Sequence, residues 1–522
     1  MIKSEKNTRE AVMKKVLSLL LVCILTLCLF TPAYAGFDKK CDCGFSPIIY
    51  VGPLGCTSIV RDAGKSNEQQ LWKIDTGFLI KNAAKILPAA SYALLVGDTE
   101  LLGDSVISLV NESFGDLALD NDGKSKENVT TPDLNVPEGD RHGIDSDYYF
   151  DYDFRLDPYI HAERLYEFIE QVKELTGHDS VKLKCSSMGG VVLSAYLELY
   201  GYEGIDVIIC RCCPLWGTAV AGELFNGKLE LNAESLRRYG EDAIPFMETG
   251  FADDFIEGTL YALLEALKYA GILDGIIALG DDLIEDIGDR IFNEALIPIF
   301  GTLPGIWAFV PQEYYDGALE FMKVSKDGDL YRQISTYRTA QANIASNLNE
   351  ARENGVNVCI TCGYNVQRTP LVSLWKSTSD GTVDTKYASL GAICGETKET
   401  LSEDYISSLE NTDYLSPDKM IDASTCELKD CTWFFRDWLH CNGNPAIDEF
   451  YNLVMLNDEA VSINSFENYP QFMKIDDNKN TLTPVTQNET LSNTLKESPS
   501  HLNFIRFIFE LFEKLLNMFS VK

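Results

Sequence analysis

Ser187 sits in the hexapeptide Cys185-Ser186-Ser187-Met188-Gly189-Gly190, between a strand-like stretch, Val181-Lys182-Leu183-Lys184, and an apolar run from Val191 to Leu197 that reads as a buried helix. A small residue two before a serine and a glycine two after it, on a strand-to-helix turn, is the layout of a nucleophile elbow. Such a turn lifts the hydroxyl clear of the backbone and brings the next N–H, that of Met188, beside it. Ser186 lacks this spacing, so Ser187 is the candidate nucleophile. The competing reading of the same residues is a plain tight turn after a strand. The remaining chain must decide by supplying a base, an acid and an oxyanion hole.

A serine hydroxyl at neutral pH is a poor nucleophile without a base. The histidines are His142, His161, His178, His440 and His501. In the chain order nucleophile, acid, histidine, only His440 and His501 qualify, and His501 lies in the tail. His440 follows the strand-like Trp433-Phe434-Phe435 and precedes Cys441-Asn442-Gly443-Asn444-Pro445, a helix-start signal, which puts it on a loop at the end of a last strand. The acid must lie between, and Ser379-Asp380-Gly381-Thr382-Val383 fits, the glycine allowing the turn that aims Asp380; Asp384 is the fallback. An oxyanion hole needs two backbone N–H groups. Met188 offers one and Leu54 or Gly55 the other, while Pro53 has no N–H to give.

These residues need a scaffold. Ser46-Pro47-Ile48-Ile49-Tyr50-Val51 reads as a strand buried on both faces, and Asp206 to Cys210 and Val356 to Ile360 repeat the pattern. A helix starts at Asp157-Pro158, with Asp157 as N-cap and Pro158 in the first turn, and stops at Gly177. Strands and helices alternating over short connections predict an α/β fold around a mostly parallel central sheet. Residues 221–354 read as helical without clear strands, so we expect a helical cap inserted between two core segments, 36–220 and 355–456. A polar linker over 457–500 then leads to an amphipathic helix over 501–522. That helix is expected either to contact a membrane surface or partner or to pack back on the core.

Taken in order, Pro47 to Thr57, Tyr152-Asp153-Phe154-Arg155-Leu156, Ser187-Met188-Gly189-Gly190, Pro214-Leu215-Trp216-Gly217-Thr218, Asp380-Gly381-Thr382-Val383 and Trp433…His440 resemble the blocks of lecithin:cholesterol acyltransferase-like α/β-hydrolases. The resemblance runs over roughly residues 46–456. It implies an α/β-hydrolase fold with the helical insertion as lid, and Ser187, Asp380 and His440 as nucleophile, acid and base. The chain departs from the family at Cys185, where glycine is usual, at Ser186, where histidine is common, and at Gly52-Pro53, an inverted order in the oxyanion loop. Lys182 and Lys184 are also odd on a central strand and suggest exposure near its ends.

The N-terminus carries Lys3, Lys6, Arg9, Lys14 and Lys15, then an apolar run over 16–30, then Ala33-Tyr34-Ala35. This is the three-part pattern of a secretory signal peptide cut after Ala35, and the apolar run is short for a membrane span. Export permits disulfides. The neighbouring pairs Cys41/Cys43, Cys212-Cys213 and Cys359/Cys362 have no histidine at ligand spacing, so buried thiols or bridges are expected rather than a metal site. The net charge of −35, from 44 basic against 79 acidic residues, argues against nucleic acid. The expectation is a secreted serine ester hydrolase or acyltransferase, without cofactor, acting on a lipid or other hydrophobic ester. The alternatives are a thioesterase or amidase of the same fold, or a non-catalytic binding protein built on it.

Overall fold

The computed structural model describes residues 41–72, 98–131, 148–230 and 287–487, with short gaps inside them, together with Ser235 and a few residues over 86–96. The expected signal peptide (1–35), the central part of the expected cap and the tail helix (501–522) lie outside the described residues. The chain divides between Cys43 and Gly44, and everything below belongs to the unit that starts at Gly44.

Eight strands form the central sheet: β1 (Ile48–Val51), β2 (Tyr148–Phe150), β3 (Val181–Ser186), β4 (Ile205–Arg211), β5 (Asn357–Tyr364), β6 (Thr432–Arg436), β7 (Phe472–Asp476) and β8 (Thr481–Pro484). Their spatial order is β8-β7-β6-β5-β4-β3-β1-β2. Every neighbouring pair is parallel except β7 with β8 at the edge. The fold is therefore α/β with a mostly parallel sheet. The central strands are buried along nearly their whole length, β5 at every position, as expected for a sheet covered on both faces.

Four helices matter for the site: α1 (Pro158–Thr176), α2 (Gly189–Tyr200), α3 (Asp329–Glu353) and α4 (Pro445–Leu456). Asp157 caps α1 by accepting the Tyr159 N–H, and Gly177 ends it at φ 69°. Side chains alternate across a strand, so Val181, Leu183 and Cys185 of β3 face one way and Lys182 and Lys184 the other. Both α1 and α3 pack on α2, whereas α4 lies on the face of the lysines.

Three expectations need correction. Lys182 and Lys184 are buried, not exposed at strand ends. Lys182 gives a 2.5 Å hydrogen bond to the Met455 carbonyl and stands 3.7 Å from the Phe45 ring centre. Lys184 lies 3.3 Å from Asp448, over the Tyr451 ring, and burial lowers its pKa. The two lysines thus tie β3 to the C-terminal half of the core. Second, the stretch 457–500 is not a linker throughout, because β7 and β8 complete the sheet and Met473 and Val485 are buried. The strands are short, and β7 carries Lys474 and Asp476, which hides their pattern in the sequence. Third, the stretch 221–354 does not all stand apart as a cap. Its last helix, α3, buries Tyr337, Ala340, Ile344, Leu348 and Ala351 in the main core, and Asn343 and Asn347 hydrogen-bond Glu198 of α2.

Candidate active site

The order of strands decides where a ligand can bind. From β1 the chain moves outward to β2 on one side, and from β3 it proceeds through β4 on the other. The crevice outside the carboxyl ends of β1 and β3 is thus a topological switch point, the usual binding place in an open α/β sheet. Ser187 begins where β3 ends, and the Gly52 to Cys56 loop begins where β1 ends.

The turn at Ser187 is set by close approach. Ser187 has φ 51°, an unusual conformation for a residue with a side chain, and its N–H is held by the Arg211 carbonyl at 2.9 Å. A Cβ on Gly189 would come within 2.5 Å of the Val51 carbonyl oxygen, and one on Gly190 within 2.4 Å of the Cys213 Cβ. Neither position has room for a side chain, which accounts for the glycine pair. Cys185 is fully buried, with Val51 and Cys210 as register neighbours on either side, so the turn accommodates its small side chain in place of a glycine.

His440 reaches this turn from the loop after β6. Its Nε2 lies 2.8 Å from Ser187 Oγ and its Nδ1 lies 2.8 Å from Asp380 Oδ2. The backbone locks the same pair, since the His440 N–H donates to the Asp380 carbonyl at 2.8 Å. Asp380 follows a two-residue strand, Thr378–Ser379, in the excursion beyond β5. It is 1% exposed, and its Oδ1 accepts the N–H groups of Thr382 at 3.0 Å and Val383 at 2.7 Å. One carboxylate oxygen is thereby fixed by the turn and the other is left for the imidazole. Gly363 makes room for this, because a Cβ there would lie 2.6 Å from the Asp380 Cβ. Asp384, the fallback acid, is committed elsewhere: it pairs with Arg368 at 2.7 Å and accepts the Ala219 N–H at 2.8 Å.

Electrostatics suit a base held by an acid. Burial pushes the His440 pKa down, but the Asp380 carboxylate and the neighbouring Cys441 outweigh it and hold the pKa well above 6.5. The His440 side chain keeps 19% exposure and Ser187 8%, so the pair is sheltered without being sealed.

Of the expected oxyanion donors, the Met188 N–H has no hydrogen-bond partner among the described residues. The Met188 side chain is buried and lies against Gly305. Leu54 and Gly55 are the middle residues of a turn closed by the Cys56 N–H on the Pro53 carbonyl at 3.1 Å, with Gly55 at φ 80°. Among the described residues their N–H groups also have no partner. The inverted Gly52-Pro53 order is accommodated because a Cβ on Gly52 would collide with the Cys56 Cβ at 2.5 Å, while proline at 53 costs no bond.

Two thiols lie at the site where the sequence had not placed them. Cys441 Sγ lies 4.0 Å from His440 Nε2, and the Cys441 N–H donates to Cys212 Sγ at 3.5 Å. Cys212, His440 and Cys441 offer ligand atoms all within 4.8 Å of one another. Cysteines adjacent in sequence gave no hint of this, because the relevant partner of Cys212 is far along the chain. The cysteines from Cys56 to Cys441 are unbridged thiols.

The sequence matches no protein-family model and no curated protein. Among solved structures, the crystal structure of a Tle4-Tli4 complex is similar over 61% of this chain and 75% of its own, at 12% identity and a TM-score of 0.26. So slight a likeness carries no weight for the chemistry.

Proposed function

We propose that this chain is a serine ester hydrolase of the α/β-hydrolase type, exported by its N-terminal signal and acting on hydrophobic esters. The observation that carries the reading is the unbroken hydrogen-bond chain Ser187 Oγ, His440 Nε2, His440 Nδ1, Asp380 Oδ2, at 2.8 Å for each contact. In the reaction Ser187 Oγ attacks the acyl carbonyl as its proton passes to His440 Nε2. Asp380 holds the imidazole in the tautomer with Nδ1 protonated and stabilises the imidazolium that forms. The Met188 and Leu54 N–H groups receive the developing oxyanion, each contributing about 3 kcal/mol to lowering the barrier. His440 then returns the proton to the leaving alkoxide. Water, or an acceptor alcohol, attacks the acyl-serine in the second half.

The apolar cap and tail residues read from the sequence favour a lipid or similar ester over a polar one. The test is release of product from chromogenic short- and long-chain esters by the purified protein, with labelling by a fluorophosphonate. Wild type should turn over and label at Ser187. Equal rates for wild type and Ser187→Ala would remove the assignment.

A further inference from the structure

We propose that Cys212, His440 and Cys441 bind a thiophilic dication of the zinc class, and that its occupation switches the serine site off. The inhibitory half rests on the hydrolase reading above; the binding half does not.

The ligand atoms converge from separate parts of the sheet. Cys212 directly follows β4, and His440 and Cys441 stand on the loop after β6. Two sulfurs and one imidazole nitrogen within 4.8 Å of one another form the soft S₂N donor set that zinc prefers. Bond lengths of about 2.0–2.3 Å in a tetrahedron put ligand atoms roughly 3.6 Å apart. Cys441 Sγ and His440 Nε2, at 4.0 Å, therefore need to close only slightly.

The hydrogen bonds around these side chains aim their donor atoms, and a metal would displace the protons that Cys212 and His440 otherwise keep. A metal-bound histidine commonly gives its other ring N–H to a carboxylate, which fixes the tautomer and aims the free nitrogen. Asp380 does this for His440 at 2.8 Å. The Cys441 N–H points at the Cys212 sulfur and orients it. Arg211 sits behind both thiols, with its Nη2 on the Cys441 carbonyl at 2.7 Å. Two thiolates against one dication leave the site without excess charge. Cys212 is fully buried, whereas Cys441 and His440 are part-exposed and provide the way in. Three protein ligands leave a fourth position for water.

The functional consequence follows from a single atom. His440 Nε2 is the nitrogen that must take the Ser187 proton, and a metal on its lone pair removes the base. The serine itself is untouched. Ester turnover should therefore fall in step with occupancy and return when a chelator withdraws the metal.

The experiment is calorimetric titration of the reduced, chelator-stripped full chain with Zn²⁺, paralleled by Co²⁺ absorption for thiolate-to-metal charge transfer. Wild type and Ser187→Ala should both bind at this site. Cys441→Ser and His440→Gln should each weaken that binding by about tenfold or more and diminish the charge-transfer band of the cysteine variant. Circular dichroism checks that each variant is folded, and either variant alone suffices. Zn²⁺ binding that neither substitution diminishes would overturn the site. Binding at the site with ester turnover unchanged at saturation would overturn the inhibition. If wild type hydrolyses no ester with or without chelator, the hydrolase reading fails while the titration still decides the metal site.

Discussion

The turn that carries Ser187 and the loop that carries His440 meet at one 2.8 Å contact, but they are held in different ways. At Ser187 the chain is fixed by steric exclusion: two glycines lie where β1 and the Cys213 strand exit leave no room for a Cβ. Past His440 the loop is open on one side, and a Cβ on nearby Gly443 would meet nothing within 4 Å. Position there comes from hydrogen bonds instead, from Asp380 through both its side chain and its carbonyl, and from Arg211 on the Cys441 and Asn442 carbonyls. In the proposed reaction, a packed turn suits a nucleophile that must sit still, and a bonded loop suits a base that must shuttle a proton. The same openness places Cys441 next to the imidazole.

Substitutions should break the two arrangements unequally. The largest effect is expected from Ser187→Ala, which should lower ester kcat by on the order of 10⁴–10⁶-fold with the fold intact, read from initial rates and a thermal melt. Asp380→Asn comes next, at about 10⁴-fold, because the amide turns an N–H toward the imidazole and favours the wrong tautomer. With a chelator present, the acid limb of the wild-type kcat/KM profile should lie above pH 6.5, since Asp380 raises the pKa of the base that must be neutral to act. The limb should move to lower pH in Asp380→Asn; an unmoved limb would show that Asp380 does not hold the imidazole.

Gly189→Ala should cost about 1–3 kcal/mol in denaturant unfolding, together with activity, as the end of β1 is pushed aside. Gly443→Ala should stay within about 0.5 kcal/mol and keep its activity. A reversal of that order would undo the contrast between packed turn and bonded loop. Lys184→Met should change stability by about 1 kcal/mol or less, because its partner Asp448 is half exposed and can return to water.

Several elements were legible in the sequence because their signals are local. Asp157-Pro158 and Gly177 bracket a helix whose bounds follow from capping chemistry. The apolar runs at Ile48 and Val358 announce strands covered on both faces. The elbow could be read because strand, turn residues and helix are contiguous. β2, β7 and β8 escaped, β2 because it is only three residues long and the others because polar residues break them, as in Phe472-Met473-Lys474. Helix α3 was visible, but not that it belongs to the main core, since an amphipathic stripe does not say which surface it meets. Asp380 was preferred to Asp384 from its neighbouring glycine, but only packing shows Arg368 beside the latter.

The sequence by itself singled out Ser187 and the kinds of group expected around it, because a tight turn and a chain order are written in neighbouring residues. Only the tertiary structure decided what holds the fallback acid Asp384 away from the histidine, why two lysines can lie inside a parallel sheet, and that Cys212 lies beside Cys441. Those outcomes depend on strands that become adjacent by crossing over one another. Spacing along the chain carries no record of that adjacency.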